Sequence, residues 1–142
     1  MKILVLNGPN LNLLGSREPA LYGTRDYAAL ERYLFDCANE LGCEIAVRQS
    51  NHEGVLVDCI QEARGVFDAI IINAAAYTHT SVALLDALKA VGLPAVEVHL
   101  TNPSLRESFR HRSYLRTACV KSICGKGFAG YREAMECLLA RK

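Results

Sequence analysis

Residues 69–100 read AIIINAAAYTHTSVALLDALKAVGLPAVEVHL, and this stretch decides the fold. The run AIII is apolar and β-branched without alternation, as in a strand covered on both faces. A polar turn follows. Ser81 then opens a helical pattern that Gly92 and Pro94 stop. A second short run, AVEVHL, comes directly after it. Strand, helix and strand in this form are the βαβ unit of a parallel sheet, with a right-handed crossover.

The same alternation extends outward to both ends of the chain. Strand-like runs cover residues 3–6, 43–48, 69–73, 95–100 and 118–123. A helical pattern over residues 26–41 puts Tyr27, Leu30, Leu34, Cys37 and Leu41 on one stripe and ends at Gly42. The sequence SNHE at residues 50–53 reads as a capping box opening a helix to about residue 64. A short helix over 105–112 and a last one over 130–139 complete the set. There is no repeat, linker or low-complexity segment, and 142 residues suit one domain, 1–142. The expected architecture is a doubly wound α/β sheet of five parallel strands. In such a sheet the site lies outside the carboxyl ends of the strands.

Composition narrows the partners. The hydrophobic fraction is 51%, the charged fraction 22% and the formal net charge +1, which gives no general reason to expect nucleic acid or an anionic membrane. The basic cluster RESFRHRSYLR, residues 106–116, reads equally as a solvated helix face or an anion site. No apolar run is long enough to span a bilayer. The N-terminal run is too short for a signal-peptide core and lacks a small-residue cleavage site, so a cytoplasmic protein is expected. Six cysteines, at positions 37, 43, 59, 119, 124 and 137, form no C-x-x-C pair and are read as reduced, mostly buried thiols.

Three carboxyl-end loops carry the chemistry. After the first strand comes NGPNLNLLGSREPALYG, residues 7–23, about twice the usual length for its kind and suited to a lid. Its glycines fit neither G-x-G-x-x-G nor a P-loop. After the third strand comes NAAAYTHTS, which brings an amide, an imidazole and hydroxyls to a helix start where an anion is favoured. In VEVHLTNPS, Glu97 and His99 are two apart on a strand and share a face, so the carboxylate can fix the imidazole's tautomer. Taken singly, Asn7 or Asn10 reads as a turn residue, His79 as a cap, His99 as a bonded core histidine and Tyr22 as packing. Their convergence at one edge points to a site. The two histidines lie on different loops without an acidic pair at ligand spacing, so no metal is expected.

The blocks LVLNGPNLNLLGSREPALYG, QSNHEG, IIINAAAYTHTSVALLDAL, VEVHLTNP and ESFRHRSYL resemble the type II 3-dehydroquinate dehydratases, in family order and spacing. Ala74 stands where the family often has Pro, and Thr101 where it often has Ser. In the tail CGKGFAGY, Lys126 is a less familiar choice. The resemblance implies a flavodoxin-like fold with strand order 2-1-3-4-5. It also implies reversible anti elimination of water from 3-dehydroquinate to 3-dehydroshikimate through an enolate, as in the shikimate pathway or in quinate breakdown. It further implies a cytoplasmic hydro-lyase that uses no cofactor, metal or imine and assembles as a homododecamer, four trimers together. All five lysines, at 2, 89, 121, 126 and 142, fall outside the five blocks.

By the same resemblance Tyr22 is the base, activated by Arg17 on the same loop. Asn10 holds a water or the enolate oxygen, and His99 is the general acid oriented by Glu97. Asn73, His79, Arg110 and the backbone at Leu100 and Thr101 match substrate-binding positions. Asp86 matches a position that reaches a neighbouring subunit's site. Arg106 is left between substrate binding and pairing with Glu107 or a neighbour. The competing readings are a flavodoxin-like module that holds FMN or an anion and a non-catalytic scaffold. The first would need aromatic loops to sandwich a ring, and the second predicts loss of Tyr22, Arg17 or His99.

Overall fold

The apolar runs become strands because helices cover both of their faces. The computed structural model describes residues 1–16, 18–22 and 24–141, without the side chains of Pro19 and Tyr22. Among the described residues, β1 (Lys2–Asn7), β2 (Glu44–Gln49), β3 (Ala69–Asn73), β4 (Ala95–His99) and β5 (Lys121–Cys124) form one parallel sheet, ordered β2-β1-β3-β4-β5. The helices are α1 (Pro19–Tyr22), α2 (Tyr27–Leu41), α3 (Glu53–Ala63), α4 (Val82–Val91) and α5 (Ala129–Leu139). This is the expected flavodoxin-like order.

Side chains alternate between two cores along each strand. Ile3, Val5 and Ile71 pack with Leu30 and Leu34 of α2 and with Tyr131 and Met135 of α5. Leu4, Leu6, Ile70 and Ile72 pack with Leu56 and Ile60 of α3 and with Leu84 and Leu88 of α4. Each of these aliphatic side chains contributes roughly 1.5–3 kcal/mol by leaving water. With both faces dry, alternation disappears from the sequence, and this is why the runs read as continuous.

The register sets the site. Asn7 of β1 lies beside Asn73 of β3, and His99 of β4 beside Cys124 of β5, so polar side chains begin where the apolar strands end. Asp26 caps α2 by accepting the Ala29 N–H at 2.8 Å, and Gly42 ends it at φ 71°.

Four local expectations change. The capping box is not formed. Ser50 Oγ accepts the His52 N–H at 2.9 Å, so its hydroxyl is spent on a turn and α3 starts at Glu53 with His52 as N-cap. The short helix over 105–112 is instead two 3₁₀ turns, Pro103–Leu105 and Ser108–Arg110, separated by extended backbone at Arg106 and Glu107. The last strand begins at Lys121. Residues Leu115–Ala118 form a 3₁₀ turn whose Leu115 is buried against α4, so that apolar run serves a turn as well as a strand. None of the six cysteines is in a disulfide. Only Cys37 is buried and the other five are partly exposed. Among the described residues no helix is long and apolar enough to cross a membrane.

Candidate active site

The loops after β1 and β3 are locked side by side. Gly8 donates its N–H to the Asn73 carbonyl at 2.7 Å, and a Cβ on Gly8 would lie 2.5 Å from the Ala74 carbonyl oxygen. Only glycine fits that approach. Ala74 is buried at φ −75°, a value proline also adopts. Asn10 follows in the left-handed region at φ 67°, where asparagine is among the tolerated residues. Its N–H is held by Asn51 Oδ1 at 3.0 Å, while Gln49 Nε2 donates to the Gly8 carbonyl at 3.1 Å. Gln49 at the end of β2 and Asn51 just beyond it therefore buttress the Asn10 turn.

The long loop after β1 closes on itself. Gly15 has φ +90°, and a Cβ there would lie 3.0 Å from the Thr24 carbonyl oxygen and 3.1 Å from Asp26 Cα. A narrow neck thus leads into a flap that contains α1. Glu18, just before α1, pairs with Arg106 at 3.6 Å. Arg17 lies outside the described residues, as does the side chain of Tyr22, whose backbone ends α1.

A pocket opens between these loops and the turn after β4. Its walls include Asn10, Asn73, His79, His99, Leu100, Thr101, Arg106 and Arg110. Glu97 sits behind His99, fully buried, and accepts four hydrogen bonds. His99 Nε2 donates at 2.8 Å, Thr78 Oγ1 at 2.8 Å, Ser113 Oγ at 2.6 Å and Ser122 Oγ at 3.0 Å. Burial pushes this carboxyl up, but the His99 bond and charge, with the Ser113 and Thr78 hydroxyls, outweigh it and hold it at about 2. A carboxylate can only accept, so His99 carries a proton on Nε2, and Nδ1 is its remaining nitrogen. When protonated there, His99 is an acid backed by a fixed negative charge.

His79 is tuned the other way. Burial lowers its pKa, with help from nearby His99 and Arg110, against the opposing bond to the Arg112 carbonyl. That carbonyl lies 2.6 Å from Nδ1 and requires a proton on Nδ1. A neutral His79 then has Nε2 as an acceptor. Arg110 is oriented by Glu107, which accepts from its Nε at 2.7 Å. The carbonyls of His99, Leu100 and Thr101 are engaged by the N–H groups of Gly125 and Gly127 at 3.0–3.2 Å, which fixes that turn from behind.

The Glu97 environment makes a stability prediction. The folded value of about 2 lies below the ordinary 4.5, so the contribution is full above about pH 4.5 and lost as pH falls through about 2. The gap is worth on the order of 3 kcal/mol. Melting temperature against pH is expected to be flatter below pH 4.5 in Glu97→Gln than in the parent, from a lower plateau at neutral pH. Parallel curves would contradict the assignment.

A family model described as dehydroquinase class II matches residues 1–139. The chain belongs to this family. It is 59% identical over 134 residues to a 3-dehydroquinate dehydratase of Bordetella avium, covering 94% of this chain and 93% of that one. It is 56% identical over 134 residues to catabolic 3-dehydroquinase 2 of Aspergillus flavus, covering 94% and 89%. The crystal structure of a type II dehydroquinase from Butyrivibrio crossotus superposes with a TM-score of 0.96 at 45% identity, covering 98% of this chain and 97% of that chain.

For this class II dehydroquinase, the structure brings Asn10, Asn73, His79, His99, Leu100, Thr101 and Arg110 to one pocket, with Glu97 behind His99. Asp86 is exposed on α4 and is not among the pocket-lining residues. Arg106, undecided in the sequence, lines the pocket and also meets Glu18 and Glu107. Sequence reasoning missed Thr78, Ser113 and Ser122 as Glu97 donors, and Gln49 and Asn51 as loop supports. Hydroxyls are common in turns, and nothing in their spacing marks three of them as converging on one carboxylate.

Proposed function

We propose that the chain, as a single catalytic domain over residues 1–142, catalyses the reversible anti elimination of water from 3-dehydroquinate to 3-dehydroshikimate. The observation that carries this reading is the His99–Glu97 pair on the wall of a pocket shared with Asn73, His79 and Arg110. The proton lost is α to a ketone, so removing it leaves an enolate. Tyr22, activated by Arg17, removes that proton from C2. Asn10 holds a water or the enolate oxygen. His99 gives a proton to the C1 hydroxyl, which departs as water, and Glu97 stabilises the charged imidazole before transfer. Asn73, His79, Arg110 and the backbone N–H groups of Leu100 and Thr101 bind the substrate's hydroxyls and carboxylate. The reaction serves both biosynthesis of aromatic compounds and quinate breakdown.

Asp86 contributes to the site of a neighbouring copy in a dodecamer of four trimers, and the enzyme works in the cytoplasm. The exposure of Asp86 on α4 leaves it available for such a contact. None of the lysines at 2, 89, 121 and 126 is among the pocket-lining residues, which supports a route without an imine.

Mixing purified protein with 3-dehydroquinate is expected to raise the absorbance of the conjugated ketone product. Borohydride added with substrate should leave that activity intact. No absorbance rise from folded protein would overturn the function, and covalent capture on a lysine would overturn the route.

A further inference from the structure

The tail CGKGFAGY places Tyr131 in the first turn of α5, and the reaction as described does not use it. Its ring is completely buried, yet its hydroxyl lies at the centre of a polar chain under the pocket floor. Tyr131 donates its O–H to Asn7 Oδ1 at 2.6 Å and accepts from Asn73 Nδ2 at 3.1 Å. Asn7 Nδ2 in turn donates to the Tyr27 hydroxyl at 3.3 Å. At the other end, Asn73 Oδ1 accepts the Ala75 N–H at 3.2 Å.

The direction of every bond in this chain is fixed. The Ala75 N–H belongs to the main chain and can only donate, so Asn73 must present its oxygen there and its nitrogen to Tyr131. The Tyr131 proton is then committed to Asn7. Ala75 has φ 51°, an uncommon conformation for a residue with a Cβ, and it holds the first donor in place. One N–H of Asn73 is left over, and Asn73 lines the pocket.

We propose that Tyr131 is a positioning residue for the reaction: its hydroxyl locks the Asn73 amide so that the remaining N–H serves the substrate. The terminal torsion of an asparagine is broad, and two anchors at opposite edges of the amide restrict it where one would let it swing. The inference rests on the reading of Asn73 as a substrate ligand.

The test compares kcat/KM and thermal stability in Tyr131→Phe, Tyr27→Phe, Asn73→Ala and the double variant Asn73→Ala/Tyr131→Phe. Tyr27→Phe removes the same group one link further on, where partial exposure lets water replace it. Tyr131→Phe is expected to lower kcat/KM about tenfold, and Tyr27→Phe less than about twofold, since good positioning hydrogen bonds are worth roughly this much. In the Asn73→Ala background, Tyr131→Phe is expected to lower stability but to leave kcat/KM unchanged. If Tyr131→Phe lowers stability alone, or if the two losses multiply in the double variant, the inference is overturned while Asn73 keeps its role. If Asn73→Ala itself leaves kcat/KM unchanged, the premise fails and the inference with it. Should Tyr131→Phe not fold, Asn7→Ala removes the acceptor that orients the Tyr131 proton. It is expected to cost several-fold in kcat/KM, and an unchanged value would overturn the inference.

Discussion

His99→Ala is expected to lower kcat for 3-dehydroquinate by about a hundredfold to ten-thousandfold, the usual worth of a positioned general acid. Hydroxide is a poor leaving group, so the C1 hydroxyl needs a proton as its bond breaks. His99 borders the pocket, and its Nε2 is committed to a carboxylate held by three hydroxyls. That arrangement fixes the ring without exposing either group to bulk water. The loss should fall on kcat, because the proton moves only in the transition state, and KM should change by no more than a few-fold. Steady-state kinetics decides this. A kcat within tenfold of the parent would show that His99 is not the acid.

Tyr22→Phe is expected to remove turnover by about a thousandfold or more while substrate still binds. A free phenol has a pKa of about 10, so a phenolate near neutral pH needs a drop of roughly 2–3 units, or about 3–4 kcal/mol. One guanidinium at about 4 Å supplies about 4 kcal/mol at an effective dielectric near 20, less the cost of desolvation. Arg17, on the same loop, is the proposed source. The neck at Gly15 and the contact between Glu18 and Arg106 tie the backbone of this loop to the pocket rim, and its closure is proposed to bring base and activator together over the substrate. Calorimetric titration of the variant with substrate separates the two effects. Retained turnover would remove Tyr22 from the mechanism, and lost binding would make it a substrate ligand instead.

Much of this was legible in the chain itself. Continuous apolar runs such as AIII reveal a sheet covered on both faces, and Glu97 and His99 two apart on one strand reveal a shared face. Other features were hidden because they join distant segments. Ser113 from a loop and Ser122 from β5 reach Glu97 only after the sheet is assembled. The capping-box pattern at Ser50 fails because the hydroxyl closes a turn two residues on, a local competition that spacing alone does not settle. The segment 105–112 reads as a short helix in the sequence. Asn102 instead accepts the Ser104 N–H at 3.1 Å and starts a tight turn, which turns Arg106 and Arg110 into pocket walls.

The central claim is a division of labour across the substrate ring, with a base on the flap and an acid on the β4 wall. Acid and base on opposite faces require anti elimination. The most direct measurement uses 3-dehydroquinate carrying deuterium at C2 on the face opposite the C1 hydroxyl, with the product analysed by mass spectrometry. Unlabelled 3-dehydroshikimate is the predicted result. Product that retains the deuterium would mean syn elimination and would contradict the placement of Tyr22 and His99 on opposing faces.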